Sequence, residues 1–200
     1  MFRKILTLAI VSFWPMISNA LPIPLMIVDN RFAIQPAIND HGEIIYVLDH
    51  SIVSTRRGLL VSSASAVDAS NIGLSNSGEV VWSNGSSASV VNSTTRGILV
   101  DSRSYGPTIA STTGEVAYVN IDGASVSNVS TTLQGSVESF DESLGLRTGV
   151  ADVNDSGEVV FELRDLSSPF TRIYSTNRGF LTPANTDATQ PAIIENYLTS

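Results

Sequence analysis

The chain contains no cysteine, only two histidines (His41 and His50) and a single lysine, Lys4, and charged residues make up just 15% of its 200 positions. Each scarcity removes a class of chemistry. Without cysteine there is no disulfide scaffold, no thiolate zinc site and no cysteine nucleophile. Eleven basic residues face 19 acidic ones, for a net charge of −8. A surface so short of cations does not suit the phosphate backbone, so nucleic acid is not an expected partner. Neither the esterase pattern G-x-S-x-G nor the zinc pattern H-E-x-x-H occurs.

The N-terminus has the three parts of a secretory signal peptide. Met1–Lys4 is basic, residues 5–17 are mostly apolar, and Ser18-Asn19-Ala20 ends the segment with small residues. The apolar run is shorter than the ~20 residues that span a bilayer. A signal peptide over 1–20, followed by one domain over 21–200, is therefore expected, with export to the periplasm or beyond and no membrane span after cleavage. Cleavage leaves nine arginines and no lysine against 19 acids, a net charge of −10, which excludes a lysine nucleophile or Schiff base.

What is abundant is serine and threonine, 45 together, and they recur in a pattern. Gly-Glu followed by an apolar run appears at Gly42-Glu43-Ile44-Ile45-Tyr46, Gly78-Glu79-Val80-Val81-Trp82, Gly114-Glu115-Val116-Ala117-Tyr118 and Gly157-Glu158-Val159-Val160-Phe161, with the glycines 36, 36 and 43 apart. Two places before each glycine stand Asp40, Asn76, Thr112 and Asp155. A second motif, S-T-x-R-G, follows at Ser54–Gly58, Ser93–Gly97 and Ser175–Gly179, with a degraded copy, Ser130-Thr131-Thr132-Leu133-Gln134-Gly135, in the third unit.

One unit reads as four short strands. A first strand ends near Ile38, and Asn39-Asp40-His41-Gly42 supplies a turn in which glycine takes the left-handed position. Glu43–Leu48 is β-branched and aromatic, Ser51–Thr55 follows a polar tip, and Arg57-Gly58 turns into Leu59–Val61. Four strands in about 40 residues is the size of a propeller blade. The units run over about 35–70, 71–106, 107–149 and 150–189. Met26–Arg31 reads as a lone fourth strand before them and Gln190–Ile193 as a lone first strand after them. The expected fold is all-β, a repeat of four-stranded antiparallel units closing as a small β-propeller, with a β-solenoid or open array as the alternative.

The I-N-x-x-G-E-V-V-aromatic pattern with its Arg-Gly ending resembles the tandem repeats of secreted bacterial β-propeller-like proteins and is similar to the HAF-type extracellular repeats. The resemblance spans nearly all of residues 25–195, with Arg-Gly-Leu-Leu where the HAF-type unit carries His-Ala-Phe-Leu. It implies an exported β-repeat fold, and little about function.

Within that fold, Tyr46, Trp82, Tyr118 and Phe161 are expected in the core between sheets rather than as sugar platforms. Glu43 and Arg57, Glu79 and Arg96, and Glu158 and Arg178 are expected as cross-strand pairs within their units. Gln134 stands where the third arginine would be, leaving Glu115 without that partner. A ring of the four glutamates around a central channel is the alternative reading. Departures from the repeat carry more functional information than the repeat. Unit three is enlarged over Glu138–Gly149, where Glu138, Asp141, Glu142 and Arg147 are candidate ligand-binding residues. Asp152-Val153-Asn154-Asp155-Ser156-Gly157 resembles a calcium loop, with Asp152, Asn154 and Ser156 as candidate ligands. The twelfth position is Leu163, the other units carry Ala37, Gly73 and Ile109 in the leading place, and the segment is equally an ordinary turn. No other cofactor is expected. The composition favours an exported, non-catalytic domain that binds a protein or glycan. The alternatives are a secreted hydrolase or lyase using carboxylates such as Asp141, Glu142 and Glu158, and a segment of a longer repeat protein.

Overall fold

The computed structural model describes residues 33–62, 67–84, 90–101, 103–121, 126–185, 187–189, 191 and 193. The expected signal peptide, the lone strand at Met26–Arg31 and all but two residues of Gln190–Ile193 lie outside the described residues.

The repeated motifs become sixteen strands. Blade one holds β1 (Ala33–Ile38), β2 (Ile44–Leu48), β3 (Ser51–Ser54) and β4 (Gly58–Val61). Blade two holds β5 (Val67–Leu74), β6 (Val80–Asn84), β7 (Val90–Ser93) and β8 (Gly97–Val100). Blade three holds β9 (Ser104–Ile109), β10 (Val116–Ile121), β11 (Val126–Thr131) and β12 (Gly135–Asp141). Blade four holds β13 (Leu146–Val153), β14 (Val159–Asp165), β15 (Thr171–Ser175) and β16 (Gly179–Phe180). Each blade is a four-stranded antiparallel meander in sequence order, and the four form a four-bladed β-propeller. Among the described residues no helix is long and apolar enough to cross a membrane.

The first strands lie against one another in series, β1 on β5, β5 on β9 and β9 on β13. They begin before the unit boundaries read from the motifs, so β5, β9 and β13 straddle 70/71, 106/107 and 149/150. Each carries a register shift at a matching place, for instance between Ile34 and Ala37 in β1. There Gln35 (φ 53°) in β1 and Gly106 (φ 61°) in β9 take the same left-handed conformation, each followed by proline.

The second strands explain the Gly-Glu-apolar signature. Successive side chains of a strand point to opposite faces, and in β6 both faces meet a neighbouring blade. In β6, Val80 and Trp82 pack with Ile45, Val47 and Ile52 of blade one. Val81 packs the other way, with Ile109 and Val116 of blade three. Ala117 and Val129 then meet Val159, Phe161 and Leu163 of blade four. A strand buried on both sides reads as a continuous apolar run rather than an alternation. The aromatic position is core: Phe161 is fully buried, Tyr46 and Trp82 nearly so, and Tyr118 half-buried.

One alignment drawn by counting back from the glycines needs correction. Asn39, Ser75 and Asn154 donate their N–H to the glutamate carbonyl four residues on, but in blade three Ala110 does so to Glu115, five residues on. That turn holds an extra residue. The positions in register are therefore Ala37, Gly73, Thr108 and Asp152, and Ile109 corresponds to Ile38.

Candidate functional site

The repeated polar residues build one clamp per blade. In blade one, Glu43 is buried and its Oε1 accepts from Ser54 Oγ and from Arg57 Nε at 2.6 Å. The same serine oxygen accepts the N–H groups of Arg56 and Arg57. Thr55 Oγ1 accepts the Ile44 N–H, and its own N–H donates back to the Ile44 carbonyl. The set recurs with Glu79, Ser93 and Arg96, and with Glu158, Ser175 and Arg178. Serine, threonine and arginine of S-T-x-R-G thus each have a job: the hydroxyls hold the turn, and the arginine neutralises a carboxylate inside it.

In blade three Gln134 stands in the arginine's place. Thr131 takes the serine's place, and Gln134 Nε2 donates to Glu115 Oε1 at 3.4 Å and to the Gly157 carbonyl at 3.2 Å. Likewise Arg96 Nη2 donates to the Gly114 carbonyl of the next blade at 2.9 Å. The clamps therefore also join neighbouring blades. A second row of bonds joins the turns, Asp40 with Asn76, and the N–H groups of Thr112 and Thr113 with Asp155.

Ionisation follows from these contacts. Burial pushes the Glu43 and Glu158 carboxyls up, but the serine hydroxyl and the arginine of each clamp outweigh it and leave both below the ordinary glutamate range. Asp155 is likewise held low, its partial burial overcome by the Thr113 and Thr112 amides. Asp152 goes the other way. Burial raises its carboxyl despite hydrogen bonds from the Ile193 N–H, the Thr108 hydroxyl and the Val153 N–H.

The candidate calcium oxygens are thus engaged in building the blade. Asn154 is buried, and its Oδ1 accepts from the Ser156 N–H, the Ser156 hydroxyl and the Glu158 N–H. Of the acidic candidates in the enlarged segment, Glu138 lies mid-strand on β12 opposite Val129. Asp141 caps a single 3-10 turn (Glu142–Leu144) by accepting the Ser143 N–H, which with the Ser143 hydroxyl holds its carboxyl low. Glu142 faces Arg147 at 3.7 Å across the tight connection to β13.

That connection leads into a recess on blade four. A groove of about 280 Å³ opens on blade four, with Leu146, Leu163, Phe170 and Phe180 as apolar walls and Asp165, Ser168 and Arg172 as polar ones. Leu163 and Arg172 are directly paired across β14 and β15, which brings the arginine over the apolar floor. The Arg172 guanidinium lies 3.5 Å from the centre of the Phe180 ring. Its Nη2 donates to the Thr182 carbonyl at 3.1 Å, while its Nε is buried without an acceptor. The ion pairs among the described residues involve Arg57, Arg96, Arg147 and Arg178, and among those residues Arg172 has no carboxylate within 4.0 Å. Phe180 is the end of a row of rings, Phe140, Phe161, Tyr174 and Phe180, with centroids 5.7, 5.2 and 5.2 Å apart. Asp165 Oδ1 accepts the Ser167 N–H and hydroxyl, which hold its carboxyl low.

None of the candidates Glu138, Asp141, Glu142 and Arg147 lines this groove, and sequence reasoning missed Phe170, Arg172 and Phe180, which do. The available signal was spacing. Glutamate and arginine of a clamp are 14 residues apart in blade one, 17 in blade two and 20 in blade four, so the hairpin between them is longest where the groove lies. No protein-family model matches the chain, and no curated protein matches it.

Proposed function

We propose that this chain is an exported, non-catalytic binding domain, and that its ligand enters the blade-four groove. The observation that carries the reading is Arg172, a cation set among apolar side chains against a ring and one carbonyl, with no carboxylate within 4.0 Å among the described residues. Binding sites are typically apolar recesses with a few placed polar groups. Export draws support from the signal-like N-terminus and the resemblance to secreted repeats. The carboxylates that a hydrolase would use have structural occupations: Glu158 holds Ser175 and Arg178, Asp141 caps a turn and Glu142 faces Arg147.

A combined screen tests this reading. The protein is offered to peptide and glycan arrays and, separately, to chromogenic ester and glycoside substrates. Retained ligand is expected to be lost in Phe170→Ala, with substrate turnover at background. Turnover abolished by Asp141→Asn, Glu142→Gln or Glu158→Gln would instead establish an enzyme. A ligand still held by Phe170→Ala would move the site off blade four.

A further inference from the structure

The chemistry lining the groove is specific enough to name a ligand class, an inference that rests on the groove being the binding site. Three demands are present at once. Arg172 supplies a fixed positive charge, held by the Phe180 ring and the Thr182 carbonyl, in a chain that is acidic overall. Guanidinium matches carboxylate in planar, charge-assisted hydrogen bonds. Asp165 supplies an acceptor in the same groove: Ser167 occupies its Oδ1, and among the described residues Oδ2 carries no hydrogen bond. Leu146, Leu163 and Phe170 line the same groove, an apolar bed with room for one medium-sized aliphatic side chain.

A dianion such as phosphate suits this poorly, because Asp165 is held in its charged form and would repel it. A neutral sugar leaves Arg172 unmatched. One common group meets all three demands, the last residue of a peptide, which presents a carboxylate, an amide N–H and a side chain from one carbon. We propose that the groove receives the C-terminal residue of a peptide ending in an aliphatic side chain. The carboxylate pairs with Arg172, the amide N–H donates to Asp165 Oδ2, and the side chain packs on Leu146, Leu163 and Phe170. Phe180, stacked under the guanidinium, keeps Arg172 in place before the ligand arrives, which lowers the entropy lost on binding.

The test titrates the full chain, by amide chemical-shift mapping, with three small probes. N-acetyl-leucine carries all three features, N-acetyl-leucinamide lacks the carboxylate, and 4-methylpentanoate lacks the amide. N-acetyl-leucine is expected to shift the amides of Leu146, Leu163, Phe170 and Arg172, and to bind at least about tenfold more tightly than the amide. It is also expected to bind several-fold more tightly than 4-methylpentanoate, and Asp165→Asn is expected to erase that second preference. Arg172→Gln is expected to lose N-acetyl-leucine, and Arg172→Lys to keep a weakened response. The wild-type comparison stands even if the variants fold poorly. Equal binding of acid and amide, equal binding of N-acetyl-leucine and 4-methylpentanoate, or shifts mapping elsewhere would each overturn the proposal. If the probes fail while an array ligand is lost in Phe170→Ala, the ligand class is wrong and the groove remains the site. If both fail, the groove reading falls with it.

Discussion

Ser93 occupies a place where three requirements meet. Its oxygen takes the N–H groups of Thr95 and Arg96, and its proton goes to the buried Glu79 carboxylate. Removing it orphans two donors and strips a buried charge of a partner. Arg96, by contrast, is partly in water, its side chain 35% exposed, and exposed ion pairs contribute little. Blade three already runs on the amide of Gln134 in the arginine's place. Ser93→Ala is therefore expected to cost about 1–3 kcal/mol, and Arg96→Gln under about 1 kcal/mol, measured by urea unfolding. The reverse order would mean that the ion pair, rather than the hydroxyl, holds the clamp.

In all four blades the turn between first and second strands ends in a left-handed glycine, which serves two ends. Gly157 has φ 77°, a conformation that costs residues with a Cβ, and a Cβ there would lie 2.7 Å from Gln134 Nε2 and 3.3 Å from Glu115 Oε2. Gly97 has almost the same φ, 75°, but open space around it. Gly97→Ala is expected to cost about 1–2 kcal/mol from backbone strain alone. Gly157→Ala should cost clearly more, because it also breaks the Gln134 bond between blades three and four. Equal costs in denaturant unfolding would show that bond to be dispensable. At this scale much was legible in the sequence. Strands, turns and clamp partners follow from local rules: left-handed glycine after Asn or Ser, β-branched runs, and hydroxyls beside a turn. The extra residue before Gly114 was not, since an unchanged spacing of 36 hid a shift of one position within it.

Across the whole molecule, pH pulls on the carboxylates in opposite directions. Glu43, Asp155 and Glu158 titrate lower in the folded chain than in the unfolded one. Their stabilising contributions are present above the unfolded values and are lost as pH falls through the folded ones. Asp152 titrates higher when folded. Its contribution is complete below the unfolded value and is lost as pH rises through the raised one, because its charged form is the one that burial penalises. Asp152→Asn removes a group that suits the fold in acid and strains it at neutrality. The deficit of this variant against wild type, read as a difference in Tm, is expected to be larger near about pH 3 than near about pH 7. A deficit independent of pH would mean that the Asp152 carboxyl is not shifted.

By itself the sequence determined the repeat, the four-strand unit, the aromatic core position and the glutamate–arginine partnership, because each is set by contacts within one hairpin or by the alternation of a strand. Only the tertiary structure decided what lies between units. It put Asp152 beside Thr108 of the neighbouring blade, gave Gln134 two acceptors, and carried the clamps across to the next turn. It also gathered Leu146, Leu163, Arg172 and Phe180 from four different strands into one groove. The four strands belong to one blade, but these residues meet only once its successive hairpins are paired in register, and no local rule of spacing records that meeting.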